Sequence, residues 1–110
     1  MAETFKNFKL ALATSSTTAY TCPASTTAIV LMVQAANVTG GDAYATVSWT
    51  DASDGNAVTR LINDAIVPAG APLSVLAGKF VLEAGDTITA LASGGSAIEL
   101  SGSVLEIPNA

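Results

Sequence analysis

Thr26-Thr27-Ala28-Ile29-Val30-Leu31-Met32-Val33-Gln34-Ala35-Ala36-Asn37-Val38 is the stretch whose reading decides the fold. Its centre, Ala28 to Val33, is unbroken apolar sequence, so both faces of an extended strand need covering, which places it in the middle of a two-layer fold. A membrane span needs about 20 apolar residues, and the run is too short for one. Pro23 before it and Gly40-Gly41 after it leave a helix only marginal length. A buried central strand follows.

The rest of the chain alternates around that run. Phe8, Leu10 and Leu12 point one way while Lys9, Ala11 and Ala13 point the other, as on a half-buried edge strand. Ala19 to Cys22 is a short second strand stopped by Pro23. Gly40-Gly41 offers the positive φ values of a tight hairpin leading into a strand from Ala43 to Thr50. There Trp49 shares the core side with Ala43, Ala45 and Val47; the alternative is a Trp49 displayed on a binding surface. Asp54-Gly55 is a strong hairpin signal, and Ala57 to Ile62 returns from it. The prolines and glycines of Ile66 to Pro72 predict a loop crossing from one sheet to the other. Lys79 to Leu82 and Asp86 to Ala92 are expected to pair around Glu83-Ala84-Gly85. In the last strand Ile98, Leu100, Gly102 and Val104 share a face, and the alternation then slips, with Leu105 and Ile107 on the opposite side. A bulge near Gly102, or an end buried on both sides, accounts for the slip. About eight short strands without a helical stripe predict an all-β chain, an antiparallel two-sheet β-sandwich of jelly-roll type. Residues 1–14 form an N-terminal arm and edge strand, and residues 15–110 the single sandwich domain.

Composition limits what such a domain can do. A chain of 110 residues buries about 65% of its unfolded surface and folds without staples. Cys22 is the only cysteine, which excludes an internal disulfide and fits a small buried apolar residue. A net charge of −5 argues against nucleic acid and anionic membrane, both gripped through Lys and Arg. Lys6 and Lys9 make the N-terminus slightly basic, either as an interacting arm or as a solvated edge. Charged residues are 12% of the chain against roughly 25% in an ordinary domain. An exterior of Ala, Ser and Thr repels neighbours weakly, so a good part of it is expected to be buried against other chains; the alternative is a monomer with a neutral, Thr-rich surface. The first residues are too short and too alternating for a secretory h-region. Without such a signal the glycosylation pattern Asn37-Val38-Thr39 has no consequence.

The chain contains no histidine, which removes Ser-His-Asp and Cys-His catalysis and the usual zinc sites. Asp51, Asp54 and Asn56 are a conceivable calcium loop, but their spacing departs from the oxygen pattern such loops use and suits an Asp-rich hairpin turn. Glu83 and Asp86 are a conceivable glycosidase pair without aromatic platforms. Gly40-Gly41 and Gly94-Gly95 precede no helix and so make no phosphate loop. No catalytic residue, cofactor or metal is expected.

Tyr20-Thr21-Cys22-Pro23-Ala24-Ser25-Thr26-Thr27-Ala28-Ile29-Val30, Val47-Ser48-Trp49-Thr50-Asp51, Val67-Pro68-Ala69-Gly70, Gly78 to Asp86 and Ser103-Val104-Leu105-Glu106-Ile107 together resemble small virion structural proteins of tailed bacteriophages. The resemblance implies a β-sandwich or jelly-roll unit serving as a capsid decoration (cement) protein, with a neck, tail or baseplate component as the alternative. It also implies location on the virion after synthesis in a bacterial cytoplasm, a homo-oligomer, here a trimer, and contact with the major capsid protein or other virion proteins. It carries no functional-residue motif. A carbohydrate-binding sandwich for host attachment is the rival from another class, and it needs an exposed Trp49 or Tyr44. The residues expected at the interface are Phe5, Lys6, Phe8 and Lys9 of the arm, which is expected to be removable over residues 2–9 without unfolding the sandwich, and the loop from Pro68 to Pro72.

Overall fold

Alternation of apolar and polar residues becomes nine strands in two antiparallel sheets, a β-sandwich, in a computed structural model describing residues 3–76 and 78–109. Met1, Ala2, Ala77 and Ala110, which the expected arm and domain ranges include, lie outside the described residues. The strands are β1 (Thr4–Ala11), β2 (Thr17–Thr21), β3 (Thr26–Asn37), β4 (Ala43–Asp51), β5 (Ala57–Val67), β6 (Pro72–Ser74), β7 (Phe80–Leu82), β8 (Thr87–Ala92) and β9 (Ile98–Pro108). One sheet has the order β1-β9-β3, with the short β6 and β7 side by side along the far edge of β3. The other runs β2-β8-β4-β5. The strands face each other through Val30, Val33, Ile98, Leu100 and Val104 from the first sheet and Val47, Ile88, Ala90 and Ala92 from the second, all buried. Cys22 is in this core at 1% exposure, and burial pushes its thiol pKa up.

The strand positions follow the sequence, but their partners often do not. β3 and β4 are not a hairpin: Gly40 and Gly41 do not adopt positive φ, and the chain crosses there from one sheet to the other. Asn37 makes that corner. Its side-chain amide, 2% exposed, donates to Gly41 O at 2.7 Å and Val67 O at 2.8 Å, and its Oδ1 accepts from the Thr39 amide at 2.9 Å. This burial also makes Asn37 unavailable to a glycan in the folded chain. β7 and β8 do not pair with each other either; β7 joins β3, and β8 lies between β2 and β4. The connection through Pro68 and Gly70 does cross between sheets, although Ile66 and Val67 finish β5 and Pro72 begins β6. β4 and β5 form the expected hairpin, closed by a 3-10 turn (Ala52–Asp54) and left-handed Gly55 and Asn56.

Three expectations about the first sheet are corrected. The alternation of β9 does not slip: the core side continues from Val104 to Glu106, and the register shift lies in the neighbouring strand, between Val30 and Met32 of β3. Nor is β3 covered on both faces by its own chain. Ala28, Val30, Val33 and Ala35 are buried, whereas Ile29 and Leu31 are half-buried and Met32 is 40% exposed. β1 is an edge strand as expected, but it is not a loose arm, because all eight of its residues are in register with β9 from Thr4↔Glu106 to Ala11↔Glu99. Removing it would uncover an edge of β9 and unseat Phe8, so the sandwich is not expected to survive that deletion intact.

Candidate assembly surface

Residues directly opposite one another on antiparallel strands share a face, so the register of the first sheet assembles its outer surface row by row. Phe5 on β1 lies opposite Leu105 on β9, Leu105 opposite Ile29 on β3, and Ile29 opposite Val81 on β7. One apolar row therefore crosses four strands. Its ends, Phe5 and Val81, are 73% and 54% exposed, and Leu105 and Ile29 are half-buried without belonging to the core. Ile107 extends it on one side, opposite Thr27, and Met32 on the other, opposite Ser103. The rows beyond are first polar, Lys9, Ser101, Gln34 and Ser74, and then made of small residues around one carboxylate, Ala11, Glu99, Ala36 and Pro72.

Of the residues expected at an interface, Phe5, Lys9 and Pro72 share this outer face. Pro68 is exposed in the crossing loop, away from the apolar row. Lys6 and Phe8 are on the opposite side of β1. Phe8 is 8% exposed, its ring lies against Gly102, and its centroid is 5.5 Å from that of Tyr20. Phe8 is therefore a core residue, and its place among the interface residues is corrected for the reason already visible in the alternation Phe8, Leu10, Leu12. Leu105, Ile29 and Val81 were missed. Their one sequence signal was Leu105 and Ile107 falling out of phase with Val104; only the pairing of distant strands places Ile29 and Val81 beside them.

Glu106 is one of the polar groups that connect the two sheets. Its carboxylate accepts from the Tyr20 hydroxyl on β2 at 2.5 Å and pairs with the half-exposed Lys6 ammonium at 3.2 Å. The Tyr20 hydrogen bond, helped by Lys6, outweighs the opposing effect of burial and holds Glu106 below the usual carboxylate range. Burial and the Glu106 charge raise the Tyr20 phenol above its ordinary value. A depressed carboxylate pKa gives stability that is present above the unfolded value of about 4.3 and is lost as pH falls through the folded value. The raised phenol adds stability that is present below about pH 10 and is lost above it. Tyr20→Phe is expected to cost about 1–2 kcal/mol at pH 7, most of it from Glu106 losing its buried donor, since the exposed Lys6 pair is screened. Urea unfolding at pH 7 and pH 3 checks this: the gap between variant and wild type should shrink in acid, and an equal gap at both values would show that the carboxylate is not responsible.

The carboxylate candidates resolve differently from their spacing. Asp51, Glu83 and Asp86 bring oxygens within 4.8 Å of one another, while Asp54 and Asn56 are exposed in the turn. Asp86 is fully buried and its oxygens accept from Trp49 Nε1 at 3.2 Å, the Ala52 amide at 2.9 Å and the Glu83 amide at 3.0 Å. It cannot reach a substrate, so Glu83 and Asp86 do not flank a cleft. Two shallow hollows of about 520 and 760 Å³ open on the outer face of the first sheet; the first has no carboxylate in its lining and the second has one, Glu99. Neither offers the carboxylate pair of a glycosidase. Trp49 is half-buried, packed edge-on against Phe80 with ring centroids 5.3 Å apart, and its indole nitrogen is engaged by Asp86, so it is not a free stacking platform for a sugar.

No protein-family model and no curated protein matches this chain. Solved structures do. A protein of Bacillus endospore appendages, described as a novel family of disulfide-linked pili, is similar over 99% of this chain and 88% of its own, with 13% identity and a TM-score of 0.60. A pentameric capsid protein isolated from metagenomic phage sequences is similar over 96% of this chain and 62% of its own, with 20% identity and a TM-score of 0.50. At these identities the likeness is one of fold. The cross-links named for the pili have no accessible counterpart here, because the single cysteine, Cys22, is in the core.

Proposed function

We propose that this chain is a non-enzymatic structural subunit of a phage particle, a decoration or cement protein that stabilises the head by bridging neighbouring subunits. The observation that carries the reading is the apolar row Phe5, Leu105, Ile29 and Val81, which the chain's own fold leaves uncovered. Scattered exposed apolar residues are ordinary, but a contiguous row across four strands marks a surface made to be covered. The weakly charged exterior and the fold shared with a capsid protein and a pilus protein support the same role. In this reading the subunit acts as a homo-oligomer, a trimer, on the major capsid protein, with the virion as its location and neither nucleic acid nor membrane as a partner.

Imaging and mass analysis of purified particles, with and without this protein, test the reading. Particles should carry it in many copies on the head, and particles lacking it should keep their shape but break at lower temperature. Finding it only at the neck, tail or baseplate would replace the decoration role with that of a tail-associated component. Its absence from particles would remove the structural role altogether.

A further inference from the structure

The geometry points to the occupant of this outer face: a second copy of the same chain, docked face to face about a two-fold axis that runs along the row Phe5, Leu105, Ile29, Val81. The inference deepens the structural reading by naming the first partner, and it is tested on the free protein, so its failure and the failure of the particle role are separable.

Charge is the first argument. The chain is acidic overall, at −5, yet the strands present one charge of each sign on this face, Lys9 and Glu99 one row apart, with the exposed Glu3 just before β1 as the further carboxylate. Asp42, Asp51, Asp54 and Asp64 belong to β4, β5 and their connections, at the other sheet. Two copies can thus meet here without opposing their carboxylates, while a strongly charged partner finds nothing to grip. Symmetry is the second. A straight row maps onto itself under a two-fold axis laid along it, which makes an isologous contact self-complementary. The same operation carries Lys9, two rows to one side, toward the end of β1 where the exposed Glu3 lies one row to the other side. Size is the third. β3 runs from Thr26 to Asn37, and the row crosses it near its start, at Ile29. A two-fold axis on the row therefore overlaps about seven residues of each strand; at about 3.3 Å per residue, and with four strands about 4.8 Å apart, the overlap covers roughly 440 Å². A stable interface takes about 800 Å² from each partner, so this contact suits several copies acting together, as between two closed rings.

The contact does not compete with a ring closed through other surfaces. A trimer would leave three such faces free, and two trimers would join through them, so the assembly mass should be an even multiple of the 11.0 kDa chain. Because the axis follows the row, every residue in it faces its own copy across sheets about 10 Å apart, too far for a direct disulfide but within the span of a short bis-maleimide. Ser101, two rows away, stands about 14 Å from the axis and hence about 27 Å from its counterpart.

Single-cysteine additions and solution mass measurement form the test. Leu105→Cys should give a covalent dimer with a short bis-maleimide, while Ser101→Cys and the wild type, whose Cys22 is buried, should not. Phe5→Asp, at a position 73% exposed and so harmless to the fold, should halve the assembly mass and weaken self-association about 100-fold. Unchanged β circular dichroism in each variant confirms folding. A monomeric wild type, an assembly mass unaffected by Phe5→Asp, or cross-linking through Ser101 as efficient as through Leu105 would each overturn the contact.

Discussion

Gly102→Ala is expected to cost about 3 kcal/mol or more, and Gly102→Val to leave little folded protein, because the position on β9 has no room for a first carbon. A Cβ built there would overlap Phe8 Cζ and lie 2.5 Å from Phe8 Cε2 and 2.8 Å from the Met32 carbonyl oxygen. Phe8 is the directly paired residue on β1, and its ring occupies the missing side chain's place between Gly102 and Tyr20. It therefore cannot swing aside without opening the core. The Met32 carbonyl is still less free, since it belongs to the backbone where the β3 register shifts. Shortening the ring separates the two contacts. Phe8→Ala alone should cost about 3–5 kcal/mol through the cavity it leaves. Combined with Gly102→Ala, the total should fall short of the sum by about 1 kcal/mol or more, with the carbonyl contact preventing full recovery. Chemical denaturation of the four proteins closes the cycle; strict additivity would mean that the ring and the glycine do not share one space.

Gly102 also shows what the sequence carries and what it withholds. That a glycine shares the core side of β9 with Ile98, Leu100 and Val104 is plain from alternation, and so are the β4–β5 hairpin and the edge position of β1. That its empty side is filled by an aromatic ring more than ninety positions earlier depends on strand partnership, which alternation does not encode. The same limit explains Gly40-Gly41 and Glu83 to Gly85. A hairpin and a crossing between sheets both consist of an alternating strand, a turn and another alternating strand, and they differ only in which distant strand receives the hydrogen bonds. It explains Glu106 too. A carboxylate was not expected on the core side of β9, so the alternation looked broken there; the position is tenable only because Tyr20 from the facing sheet donates to it. The candidate surface was legible in part. Phe5 and Lys9 were picked out as neighbours on one strand, but the row that gives Phe5 its meaning is built from four segments spread between residues 5 and 105. The uncovered side of β3 was foreshadowed by its unbroken apolar run, which asks for cover on both faces and receives it from this chain on only one.

Asp86→Ala is expected to be the other severe substitution, costing about 3–5 kcal/mol of a total that for a domain of this kind is about 5–15 kcal/mol. The carboxylate is fully buried, and no cation pairs with it among the described residues; the one ion pair there is Lys6 with Glu106. Its charge is met by three N–H groups instead: Trp49 Nε1 on β4, the Ala52 amide at the start of the 3-10 turn, and the Glu83 amide just after β7. These come from both sheets, so one side chain closes the end of the sandwich. The adjacent backbone joins the same closure, Cys22 N donating to Asp86 O at 2.8 Å and Gly85 N to Cys22 O at 3.0 Å, with Gly85 at a φ of 86° that favours glycine. Alanine would leave all three part-buried donors without their acceptor, and an unmet donor costs up to about 1–3 kcal/mol. Asp86→Asn keeps the shape but points an NH2 at donors on one side, so it should fall between wild type and alanine, at about 2 kcal/mol. Trp49→Phe removes a single donor and should cost less than Asp86→Ala. In combination with Asp86→Asn it should be less harmful than the sum, because the indole no longer has an N–H to leave unmet. Urea unfolding at pH 7 ranks the four variants against the wild type. An Asp86→Asn chain as stable as the wild type would show that shape alone, without the carboxylate's two accepting oxygens, holds this end of the molecule closed.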